Sequence, residues 1–188
     1  MRILAALLLL FAASIVSLAN SPSVPMGPEP EASPPAPEKQ SQADADKKSA
    51  GCVTCHTASD RHTMHANPAV VLGCTDCHGG NATIEKITGS EYDSKDEKAH
   101  RDYLSAMSKA HVLPRYPMDW KTPISANPEN TYTLLNRESP AFVRFINPSD
   151  YRVARESCGA CHLPVIQAAE RRDRKSTRLN SSHVKRSR

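Results

Sequence analysis

Large side chains are scarce in this sequence. Its 188 residues include 3 Phe, 1 Trp and 5 Tyr, and no long apolar run follows the first twenty. Repeated membrane crossing is therefore excluded. The 120 residues from Gly51 to Glu170 also hold little material for a conventional core. Spare cysteines are absent as well. All six fall inside one repeated string, which leaves none for a disulfide framework or a free catalytic thiol.

That string is Cys-x-x-Cys-His. It occurs as Cys52-Val53-Thr54-Cys55-His56, Cys74-Thr75-Asp76-Cys77-His78 and Cys158-Gly159-Ala160-Cys161-His162. Two cysteines followed at once by histidine read as covalent c-type haem attachment. The thiols add across the two haem vinyl groups, and the adjacent imidazole becomes an axial iron ligand. The competing reading is a zinc ribbon, since 18 residues separate Cys55 from Cys74. The histidines decide between them. With 8 His in the chain, three consecutive matches arise by chance about once in 13,000. A ribbon also strands the third cysteine pair. Three haem c groups are expected, held by Cys52, Cys55, Cys74, Cys77, Cys158 and Cys161.

The ends read separately. Arg2, the apolar run Ile3 to Leu18 and the small-x-small site Ser17-Leu18-Ala19 form a secretory signal over 1–19. A retained anchor is the alternative, but a polar, Pro-rich stretch after a cleavage site favours removal. No stable membrane span is then expected, and export matches the compartment in which c-type haems are attached. Residues 20–50, rich in Pro, Ala, Ser and acids, read as a disordered tether. Residues 171–188 form a basic tail, and Lys175 to Arg188 resembles translated adaptor or vector DNA joined to a gene. On that reading the natural chain continues, with room for further haem domains. Without signal and tail, fifteen Lys and Arg face nineteen Asp and Glu. The formal +4 of the whole chain gives no ground for nucleic-acid binding.

The expected haem domain, 51–170, is mostly α with extensive coil and little or no sheet, folding around its haems. Gly79-Gly80 should turn the chain sharply. Tyr92 to Leu113 reads as the longest helix, capped by Asp93 or Ser94 and stopped by Pro114. Ser139-Pro140 starts a short helix that Asn147-Pro148 ends. Ser149 caps another, Asp150 to Ser157, which delivers Cys158. Trp120 is expected on a haem or on the long helix.

His56, His78 and His162 are the proximal ligands. His65, His111 and His100 are the leading distal candidates, with His62 behind them. Four histidines for three irons point to bis-histidine ligation, which suits electron transfer. Met64, Met107 and Met118 are weaker thioether candidates. Arg115, Arg137, Arg144, Arg152 and Arg155 are placed to meet haem propionates.

Beyond the motifs, Ala110-His111-Val112-Leu113-Pro114-Arg115 and the run SANPENTYTLLNRESPAFVRFINP resemble a large family of bacterial multihaem cytochromes c. The resemblance implies a periplasmic chain of haems passing electrons between quinol-side or protein donors and terminal partners. It implies no catalytic residue here. The alternative is the N-terminal haem-bearing part of a nitrite, hydroxylamine or tetrathionate-type oxidoreductase, which would need one iron with an open distal position.

Overall fold

The computed structural model describes residues 27–57, 65, 67–120 and 132–184. The signal and its cleavage site lie outside them, as do His62 and Met64. Among the described residues the chain is helical with extensive coil and has no strand, as the composition indicates. In order, the helices are α1 (Gln42–Lys47), α2 (Cys52–Cys55), α3 (Cys74–His78), α4 (Glu97–Ala110), α5 (Tyr132–Leu135), α6 (Pro140–Ile146) and α7 (Ala154–Val184). No helix among them is long and apolar enough to cross a membrane.

The stretch read as a tether departs from that reading over 27–50. Ser41 caps α1 by accepting from the Asp44 amide, and Ala45 is fully buried. The chain before it is extended but tied down, with the Gly27 amide on Arg115 O and the Ala36 amide on Glu156 O, both at 2.8 Å. Small Ala and Pro side chains let this backbone lie flat against the helices. Low hydrophobicity here marks close apposition and not freedom.

The long helix α4 begins later than its sequence suggests. Asp96 caps it, its carboxylate accepting the Lys98 and Ala99 amides. Ser94 is spent on the Asp96 amide instead. The helix stops at Ala110, where His111 turns extended ahead of Pro114. Helix α6 starts as expected, with Ser139 accepting the Phe142 amide and Pro140 in the first turn. The helix expected at 150–157 instead begins at Ala154, and the third motif lies within α7.

A small apolar core forms around α6. Val112, Trp120, Leu135, Phe142, Val143 and Val153 are buried together, with Phe145 and Ile146 packed against them. Trp120 meets the edge of Phe142 at 5.4 Å and donates Nε1–H to Glu138 at 2.7 Å. Glu138 also accepts the amides of Arg115 and Tyr116. One carboxylate thereby fixes the turn that follows His111.

Candidate functional site

In each motif the two cysteines stand one helical turn apart, so their side chains share a face. The first motif sits on α2, and Gly51 docks it. The Gly51 amide donates to Ala82 O at 2.7 Å, and a Cβ at this position would fall 2.1 Å from Ile84 O. Thr54 extends the contact by donating to Gly51 O at 2.6 Å and accepting the Lys86 amide at 2.8 Å.

The second motif, on α3, is held from both ends. Asp76, inside the motif, is 4% exposed. Its carboxylate takes Lys48 Nζ at 2.6 Å, Gln40 Nε2 at 2.5 Å and the Gly73 amide at 2.8 Å. Burial alone would push this carboxyl up, but the bonds from Lys48, Gly73 and Gln40 outweigh it and hold it below the usual range. At the other end, Arg144 from α6 donates to Asp76 O at 2.7 Å, Ser33 O at 2.9 Å and Cys77 O at 3.1 Å. These include carbonyls of the last turn of α3, which lack helical partners. Gly79 and Gly80 then turn with φ of 71° and 82°. The Asn81 amide thereby reaches Ala110 O at 2.8 Å, next to His111.

The third motif lies on α7, with Cys161 and His162 exposed. All six cysteines are free thiols. The neighbouring Cys74, together with burial, raises the Cys52 thiol. Burial, with Cys158 nearby, raises Cys77. Burial likewise raises Cys158. These are protonated thiols, not activated nucleophiles.

Two pairs of imidazoles lie close together. The rings of His56 and His111 are 6.2 Å apart between centroids, with planes at 36°. Those of His65 and His162 are also 6.2 Å apart, with planes at 19°. A metal–imidazole bond of about 2.0 Å, plus about 1.1 Å from nitrogen to ring centre, sets two trans imidazoles about 6.2 Å apart. Each pair joins one motif histidine to one histidine from elsewhere in the chain.

His78 differs. Its Nδ1 lies 2.7 Å from Phe145 O, and its ring neighbour is Phe145 at 6.4 Å. Because a carbonyl only accepts, Nδ1 carries the proton and Nε2 keeps the lone pair a metal needs. His100 has the same arrangement, with Nδ1 on Tyr92 O and the Tyr92 ring beside it. Among the described residues no imidazole stands opposite either ring. Met107 is half-buried on α4, and Met118 is 76% exposed.

Among the described residues, no three His, Cys, Asp or Glu side chains converge on a point. A closed zinc site needs four such ligands, and every motif cysteine is described. A haem supplies four nitrogens of its own and would ask the protein for axial ligands only, a demand that paired imidazoles would meet. The arginines expected at propionates have other partners. Arg144 holds backbone carbonyls, while Arg115 pairs with Glu29, Arg137 with Asp119, Arg152 with Asp150 and Arg155 with Glu170. Each carboxylate is close in space and satisfies the guanidinium. Asp76, Arg144 and Phe145 are the structural residues at the site that the motifs do not announce. The Asp inside the second motif is the one signal that could have pointed to them.

No family model, no curated protein and no solved structure matches this chain.

Proposed function

We propose that this chain carries three covalently attached c-type haems and transfers electrons in an exported, periplasmic compartment. The observation that carries the reading is the pair of 6.2 Å imidazole separations, His56 with His111 and His65 with His162. Cys52 and Cys55, Cys74 and Cys77, and Cys158 and Cys161 would form the thioethers. His56, His78 and His162 would be proximal ligands, with His111 and His65 closing two of the irons. A bound haem iron supplies one-electron exchange between ferric and ferrous states.

The protein's own part is to hold imidazoles and exclude competitors. Phe145 O fixes the tautomer of His78, and the turn anchored by Glu138 holds the chain after His111. The two irons closed by His111 and His65 would leave no position there for a substrate. Redox partner proteins or a quinol-side donor would exchange electrons with the chain, and haem domains beyond it would extend the path. The second reading, part of a multihaem oxidoreductase, draws on His78, opposite which the described residues show no imidazole. His100 and His62 remain its candidate distal ligands.

The test is a haem count by intact mass, with oxidised and reduced spectra with and without carbon monoxide. Three haems indifferent to carbon monoxide support the carrier, and one that binds it favours the enzyme. Bound zinc without haem would overturn both. In addition, His65→Ala should turn one haem, that of the third motif, from low-spin to high-spin. An unchanged spectrum removes His65 as a ligand.

A further inference from the structure

We infer that the second motif is the middle one of the three haem sites in space, with the first motif at its Cys74 end and the third at its Cys77 end. This rests on the haem reading above, and it goes beyond it by fixing an arrangement that motif order along a chain does not dictate.

In helix α3, a turn and a half long, Cys74 lies in the first turn and Cys77 one turn further along the axis. Ser49 joins Cys74 to the first motif, its hydroxyl accepting the Cys74 amide at 2.9 Å and its carbonyl the Val53 amide at 3.1 Å. Cys77 lies within electrostatic reach of Cys158, a sulfur of the third. Arg144 donates to Cys77 O at 3.1 Å and to Asp76 O at 2.7 Å at this end of α3. Helix α3 packs against both α6 and α7, and α7 carries the third motif.

Phe145 makes the first join independently of the sulfurs. Its carbonyl takes the Nδ1–H of His78 at 2.7 Å. Its ring stands 4.9 Å from that of His111, the imidazole opposite His56. One residue of α6 therefore touches the axial histidine of the second motif and a ligand candidate of the first. A thioether sulfur would sit at a macrocycle edge, so neighbouring cysteines of different motifs would bring haem edges together. The second motif has such a neighbour on each side.

The experiment removes one attachment at a time from the full exported chain. Cys158→Ala with Cys161→Ala leaves sites one and two. Cys52→Ala with Cys55→Ala leaves two and three, and Cys74→Ala with Cys77→Ala leaves one and three. Intact mass verifies two haems in each, and electron paramagnetic resonance of the oxidised proteins reads the dipolar broadening between irons. Broadening should persist in the first two variants and be lost in the third. Equal broadening in the third would overturn the order while leaving the haem reading intact, whereas a wild-type chain without haem would overturn that reading itself.

Where a deletion variant does not accumulate, His78→Met tests the same point with all three attachments kept. It should shift the reduction potentials of both other haems, through the altered charge distribution at a shared neighbour. A shift confined to one of them would overturn the middle position.

Discussion

The second and third motifs share a string of five residues and differ in almost everything around it. The second is gripped by the polypeptide. Lys48 and Gln40 hold Asp76, Arg144 holds the last carbonyls, and two glycines turn the chain immediately afterwards. The third lies open on a long helix, with Cys161 and His162 exposed and Val165 67% exposed one turn from Cys161. Pro164 inside α7 also removes a helical hydrogen bond there. The same five-residue string is thus set in two ways. One is gripped by protein contacts, and the other lies open to solvent.

The strongest way to break this contrast is Arg144→Ala. It strips three carbonyls of their donor, one buried and two part-buried, and a loss of about 2–4 kcal/mol is expected. Thermal melting of the loaded chain measures it, with Arg144→Lys recovering only part, because an ammonium cannot reach three carbonyls in a fork. Next is Gly80→Ala. A Cβ there would stand 2.8 Å from Ala110 O, at a φ of 82°. About 1–3 kcal/mol should be lost, and the proposed haem site at His56 and His111 should change its low-spin signal.

Asp76→Asn should cost about 1–2 kcal/mol at neutral pH by removing a buried, charge-assisted acceptor. The pH dependence follows from the sign of the shift. Asp76 is held below its unfolded value, so its contribution is complete above about pH 4 and is lost as pH falls through the lower folded value. Chemical denaturation at neutral and acid pH should show that loss in the native chain and not in the Asn variant. The smallest effect belongs to the third motif's surroundings. Arg155→Ala breaks an exposed pair with Glu170 and should leave the melting midpoint unchanged. A large drop there would erase the contrast between the two motifs.

Parts of this arrangement are legible in the residues. Ser139-Pro140 and Asn147-Pro148 bracket α6 because a hydroxyl cap and a ring with fixed φ act locally. Gly79-Gly80 turns because only glycine enters that backbone region without strain. Where several caps compete, local chemistry does not choose. Asp93, Ser94 and Asp96 all suit a helix start, and the turn made by Ser94 gives the role to Asp96. The same holds for 27–50, whose composition reads as unattached because the groups that bind it lie far along the chain. Ser33 meets Arg144, and Gln40 meets Val71 and Asp76.

By itself, then, the sequence determined the attachment strings, the supply of histidines and the helical class, because each depends on spacing of a few residues. Only the tertiary structure decided which imidazoles stand near each other, and that α3 packs against both α6 and α7. Those relations join His56 to His111 and His65 to His162 across long stretches of chain. Such contacts are set by how α3, α6 and α7 pack, and no local pattern encodes that packing.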